Sequence, residues 1–206
     1  MLERSIKVIS DSIVIMTPMD YPPKNTVEIV GSIYAAALVA STSWARCLNH
    51  GFTVRGGIDY GDIYWDDNTV LGAPFINAYN IESSRADVSR VVCSHNFVKL
   101  IYDYLEQATN DSAVRKSQHQ TILNDILRAL MLDYDGFICL NPHNLYIAEV
   151  FPDGTNDFSS TVERLMQGRT SHIYRKYDYL RCILQGSRPG TLSREDISRY
   201  IEQHSD

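Results

Sequence analysis

Two adjacent glycines stand inside a stretch that otherwise has strand character, Thr53-Val54-Arg55-Gly56-Gly57-Ile58. Glycine in a strand interior forfeits side-chain packing and backbone entropy. A pair of them is expected where another backbone or a ligand must come close. Any fold available to this chain must bring a neighbour against that strand. Tyr60-Gly61-Asp62 then reads as a tight turn and residues 63–65 as the hairpin partner of 53–58.

The segments around this strand have clear periods. Residues 6–16 alternate and are rich in β-branched side chains, broken by Ser10-Asp11-Ser12. This predicts a hairpin of two short strands with a carboxylate at its tip. Residues 27–50 predict a long helix, because Val30, Ile33, Tyr34, Ala37, Leu38, Ala45 and Leu48 recur every three or four positions. Gly51 suits the position just past its end. Asp66-Asp67-Asn68 is a turn, and residues 73–84 a helix with Pro74 in its first turn. Residues 90–93 form a short apolar strand, and Ser94 caps a helix to about residue 107. Residues 109–118 read as a polar loop and 122–132 as a helix running into a turn and a strand. Residues 141–157 read as a loop. Ser159 or Ser160 caps a helix to about 185, broken by Gly186-Ser187-Arg188-Pro189-Gly190. Ser193 with Asp196 forms the capping box of a last short helix. Strands interleaved with long helices predict an α/β or α+β sandwich, with helices covering one face of a sheet.

At 206 residues the chain has the length of one domain. Hydrophobic residues make up 44% and charged residues 21%, as in ordinary globular proteins. A net charge of −6 without any basic run argues against phosphate-driven binding of nucleic acid. A small triphosphate needs only a few local cations or a metal. Cys47, Cys93, Cys139 and Cys182 are far apart and read as reduced thiols of a cytoplasmic protein. The histidines have no metal-ligand spacing. No signal peptide and no membrane span is predicted.

Candidate chemistry centres on few residues. Asp11, on a hairpin tip, can offer oxygen to Mg²⁺ or Mn²⁺, although turns often carry aspartate for conformational reasons. Lys7 lies on the strand face of Ile9 and Asp11, where a solvated lysine is the plain alternative. Arg55 offers planar donors that suit a phosphate or a base edge; a surface arginine at a strand start is the plain alternative. Asp59 and Asp62 read as turn formers, and Asn77 as a cap or a site-facing residue. Glu82 and Arg85 sit on or just after a helix. Asp133-Tyr134-Asp135-Gly136 lacks the distant Glu of a calcium loop and reads as a turn. Lys176-Tyr177-Asp178-Tyr179-Leu180 reads as helix packing.

Taken in order, six segments resemble a class III nucleotide cyclase domain, nearest to the pyrimidine cyclases of bacterial antiphage Pycsar systems. They are Ser10-Asp11-Ser12-Ile13-Val14-Ile15; Arg55-Gly56-Gly57-Ile58 with Gly61; and Gly72-Ala73-Pro74 with Ala78-Tyr79 and Ile81-Glu82. Ser89-Arg90-Val91-Val92, Asp133 to Gly136 and Lys176 to Leu180 complete the set. The ordered set spans roughly residues 5 to 185, and no single segment is specific by itself.

The resemblance implies an α+β, ferredoxin-like cyclase fold with an antiparallel-rich sheet and helices packed on one face. It implies a catalytic domain over residues 1–185 and a tail over 186–206 carrying a short helix. The family's first strand and first metal aspartate are not found ahead of Asp11, so the expected domain is N-terminally incomplete. The implied reaction converts UTP, or CTP, to its 3′,5′-cyclic monophosphate and pyrophosphate, in a cytoplasmic homodimer with active sites at the interface. The product would act on a separate effector. Two Mn²⁺ or Mg²⁺ ions are implied, with Asp11 as the metal-binding catalytic residue and Lys7, Arg55, Gly56 and Gly57 against the substrate. The Asn and Arg of many class III cyclases are replaced by Ile76 and Asn80, as is common in the pyrimidine branch. The alternatives are a purine cyclase, or a catalytically inactive module for dimerisation or nucleotide binding.

Overall fold

The computed structural model describes residues 5–9, 11–19, 26–109, 113–143, 158–168, 171–185 and 192–204. The first described elements are the antiparallel pair β1 (Ser5–Ile9) and β2 (Ser12–Met16), in register Ile9 opposite Ser12 and Lys7 opposite Val14. Helix α1 (Thr26–Asn49) follows. Its end is fixed locally: Gly51 sits at φ 86°, its N–H donates to Leu48 O, and Phe52 N–H donates to Cys47 O. These two bonds satisfy carbonyls that the last turn leaves open, and the positive φ selects glycine.

Strand β3 (Gly56–Ile58) pairs in parallel with β6 (Val91–Cys93), Gly57 opposite Val92. Between them lie the small hairpin of β4 (Tyr64–Trp65) and β5 (Val70–Leu71), then helix α2 (Ala73–Ser84). The expected pairing of residues 63–65 with β3 is not formed. Asp66 is the reason: its Oδ1 accepts from Asn68 N and Thr69 N, both at 2.8 Å, and folds residues 64–71 back on themselves. A parallel partner for β3 then requires the long crossover through α2.

Helices α3 (His95–Thr109) and α4 (Ala113–Ala129) precede the hairpin of β7 (Leu130–Leu132) and β8 (Ile138–Leu140). Most of the polar stretch expected as a loop is helical from Ala113, since Ala, Arg, Lys and Gln are good helix formers whatever their polarity. The four-stranded sheet has order β3-β6-β8-β7, with β6–β8 and β8–β7 antiparallel. Helices α5 (Phe158–Met166) and α6 (Ser171–Gln185) divide the span expected as one helix, and Gly168 at φ 70° lies just past α5. Residues 144–157 of the loop expected over 141–157, and the break at 186–190, lie outside the described residues.

Helix α7 (Arg194–Gln203) starts at a complete capping box of Ser193 and Asp196, as expected. Its Ile197 and Tyr200 are buried in the main core, and Tyr200 Oη donates to Cys93 O at 3.4 Å. The architecture is mixed α+β. Alternation along the strands gives the sheet two covered faces. Val91, Cys93, Ile138 and Leu140 belong to the main core with Trp44, Ile101, Tyr104, Ile126 and Tyr200. Val92 and Cys139 point the other way, against Ile81 of α2 and Ala86. Helices therefore lie on both faces, because the parallel crossover must run over one of them. Each large side chain sealed in this core is worth about 1.5–3 kcal/mol relative to exposure.

Candidate functional site

Asp11 is exposed at the turn between β1 and β2. Lys7 is drawn inward on the neighbouring strand. Its Nζ donates to the carbonyl oxygens of Asp66 and Thr69, the second at 3.0 Å, and stands 5.0 Å from the centre of the Trp65 ring. The ammonium thus pins the first hairpin to the β4–β5 turn. Within that turn the Tyr64 hydroxyl donates to Asp66 Oδ2 at 2.7 Å. This bond, with the amides of Asn68 and Thr69, holds the Asp66 carboxyl below its ordinary range.

The glycine pair is explained by packing. A Cβ built on Gly57 would lie 2.3 Å from the carbonyl oxygen of Ala78, so α2 sits directly on the bare strand. Gly56 is looser, its nearest neighbour being Val91 at 3.5 Å. One turn beyond Ala78, Glu82 Oε1 meets Arg55 Nη2 at 2.6 Å, with the two side chains 28% and 34% exposed. Gly57 is what permits this contact: the docked helix carries its carboxylate to the arginine at the head of β3.

At the other end of β3, Asp59 joins three elements. Its Oδ2 accepts from Asn77 Nδ2 at 3.0 Å and its Oδ1 from the Ser94 hydroxyl. Ser94 Oγ in turn accepts from Phe97 N at 3.0 Å and caps α3. Asn77 is thus a partner of Asp59 and not a helix cap.

A buried charge cluster forms where the Ser89-Arg90, Asp133–Gly136 and Tyr179 segments converge. Arg90, 3% exposed, donates to Asp133 Oδ2 at 2.6 Å and pairs with Asp135 Oδ2 at 2.7 Å. The Tyr179 hydroxyl donates to the same Asp133 oxygen at 2.6 Å. Burial alone would lower the affinity of Arg90 for its proton, but the bonds to Asp135 and Asp133 outweigh it and hold the guanidinium charged. Burial, then the bond to Asp133, pushes the Tyr179 hydroxyl far above its ordinary range. Burial alone pushes the Cys93 thiol to about 12. The Asp133–Gly136 segment is a turn and the Tyr179 segment lies in a packed helix, as their local patterns predict. The network between them is set by long-range convergence that no local pattern announces.

Among the described residues no three His, Cys, Asp or Glu side chains converge to hold a metal ion. Asp11 alone supplies one exposed carboxylate. That fits a magnesium-like ion only in the arrangement where one carboxylate is supplemented by substrate phosphates and water.

A scan against protein-family models, a search of curated proteins and a search of solved structures each found no match. The molecule is described by its own geometry: a mixed α+β protein whose glycine-bearing strand carries an ion-paired arginine at one end and a three-way aspartate junction at the other. Among the described residues no helix is long and apolar enough to cross a membrane.

Proposed function

We propose that this chain is a pyrimidine nucleotide cyclase-type domain that takes UTP, or CTP, to its 3′,5′-cyclic monophosphate and pyrophosphate. The observation that carries the reading is the mutual contact of the segments on which the resemblance rests. Gly57 packs on Ala78, Arg55 pairs with Glu82, and Arg90 binds Asp133 and Asp135 beside Tyr179. These are two groups of contacts between segments far apart in sequence, and they support reading those segments as one unit.

Within the reading, Asp11 presents carboxylate oxygens at the hairpin tip and Arg55 presents guanidinium donors at the head of β3. Gly57 seats α2 on the strand and so brings Glu82 to Arg55. A divalent cation bound at Asp11 would neutralise triphosphate charge as the ribose 3′-hydroxyl displaces pyrophosphate. Lys7, held by the β4–β5 turn, acts by fixing the hairpin that carries Asp11. A homodimer is part of the proposal. Its support is the exposed apolar face of the first hairpin, where Ile6, Val8 and Ile13 are 61%, 73% and 59% exposed, with Val8 directly opposite Ile13.

The test is incubation with Mn²⁺ and each of the four nucleoside triphosphates, followed by detection of pyrophosphate and of the cyclic product by mass spectrometry. Cyclic UMP or cyclic CMP is expected, and Asp11→Asn should abolish it while changing stability by no more than about 1 kcal/mol. Full activity in that variant would remove Asp11 from the site. A purine product would replace the pyrimidine reading, and nucleotide binding without turnover would leave an inactive binding module.

A further inference from the structure

The first hairpin is attached to the rest of the molecule unevenly. Its strands pair only with each other, apart from the four-stranded sheet. Val14, Ile15 and Met16 at the far end of β2 are half-buried, while Ile9, Asp11, Ser12 and Ile13 around the tip are exposed. Between these two ends stands Lys7. Among the described residues its Nζ makes the only hydrogen bonds that leave β1 or β2 for another part of the chain. The acceptors are prepared for it. Asp66 Oδ1 takes the amides of Asn68 and Thr69, both at 2.8 Å, and Asp66 N donates to Thr69 O at 3.1 Å. The turn so closed presents the carbonyls of Asp66 and Thr69 to one ammonium, with the Trp65 ring centre 5.0 Å away. The Tyr64 hydroxyl, donating to Asp66 Oδ2 at 2.7 Å, steadies the carboxylate that shapes the turn. Two oxygens and a ring face suit a compact charge with several donors.

We propose that the β1–β2 hairpin is a flap, hinged where β2 is half-buried and latched by Lys7 on the Asp66 turn. Closed, the flap holds Asp11 and the exposed Val8–Ile13 pair in fixed places; open, it withdraws both. The bonds from the ammonium to the carbonyls are charge-assisted, but the ammonium is one head on one flexible stem, so the latch is released in a single step. Without it, a lone two-stranded ribbon is marginal in water, and its amides become exposed together. The Asp66 side chain is a positioning residue: it builds the turn that catches the ammonium. Opening needs no nucleotide, so the flap stands apart from the cyclase reading and is tested apart from it.

The test is hydrogen exchange followed by mass spectrometry on the full chain. It compares the wild type, Lys7→Met, Asp66→Ala, the double variant and Lys99→Met, a control that removes an exposed lysine on α3. Lys7→Met is expected to speed exchange over residues 5–16 about tenfold, the order set by losing hydrogen bonds to a charged group. Residues 91–93 and 138–140 of the main sheet should keep the wild-type rate, and Lys99→Met should change neither region. Asp66→Ala should speed the hairpin as Lys7→Met does, and the double variant no further, because both substitutions release one latch. Acrylamide quenching of fluorescence gives a second readout: with Trp44 only 1% exposed, added quenching in Lys7→Met reports the uncovered Trp65 ring. Unchanged hairpin exchange in Lys7→Met would overturn the latch. Equal acceleration of the hairpin and the main sheet would overturn the flap, since Lys7 would then hold the whole fold. Slow hairpin exchange in Asp66→Ala beside fast exchange in Lys7→Met would remove the Asp66 side chain from the latch.

Discussion

The two glycines of β3 are adjacent in sequence and have different neighbours in space, which makes them a clean pair for testing. Gly57→Ala drives a methyl group into the Ala78 carbonyl, a backbone atom that cannot swing aside. Urea unfolding should report a loss of about 3 kcal/mol, the upper range for overpacking. Gly56→Ala meets only Val91 at ordinary contact distance and should stay within about 1 kcal/mol of wild type. Equal losses would mean that α2 does not rest on Gly57. Arg90 is a second sensitive point. Replacing it with methionine leaves Asp133, buried to 1% of its side-chain surface, without its cation. The expected loss is about 3–5 kcal/mol at neutral pH, measured by the same unfolding midpoint. A near-neutral outcome would mean that Tyr179 and the backbone satisfy Asp133 alone.

At the scale of elements, α7 depends on a charged cap. Ser193 Oγ donates to Asp196 Oδ2 at 2.7 Å and Ser193 N to the same oxygen at 3.0 Å. These bonds, the hydroxyl first, hold the Asp196 carboxyl below its ordinary value of 3.8. A lowered folded value means that the stabilisation is present above the ordinary value and is lost as pH falls through the folded one. Asp196→Asn should therefore cost about 1 kcal/mol at pH 7, and the gap from wild type should close in acid. A gap that stays constant with pH would mean that the carboxylate charge does not act in the cap.

This box was legible in sequence, as were α1 with its glycine stop and the Ser94 cap, because caps and periodicities are local. The partner of β3 was not. Strand pairing is a choice among distant segments, and the Asp66 turn captured residues 64–71 before β3 could use them. The site divides in the same way. Arg55 stands out beside a glycine pair, whereas nothing local to Glu82 marks it as the arginine's partner. Their meeting depends on a helix landing on Gly57.

At the scale of the whole molecule, the first hairpin is weakly embedded among the described residues. Its strands form a two-stranded sheet apart from the four-stranded one, and a lone ribbon of this size is marginal in water. If its apolar face is the dimer contact, Val8→Asp with Ile13→Asp should turn a dimer into a monomer in light scattering. The unfolding midpoint extrapolated to low protein concentration should barely move. An unchanged dimer would put the interface elsewhere. At the opposite end of the chain, Tyr200 reaches a carbonyl 107 residues earlier and closes the core over β6. A ribosome that has already released β3, α2 and β6 therefore holds an unfinished interior until residues 193–203 have emerged. This core is completed only after α7 has been synthesised, and a nascent chain halted before that helix would show chaperones the apolar floor that Ile197 and Tyr200 normally cover.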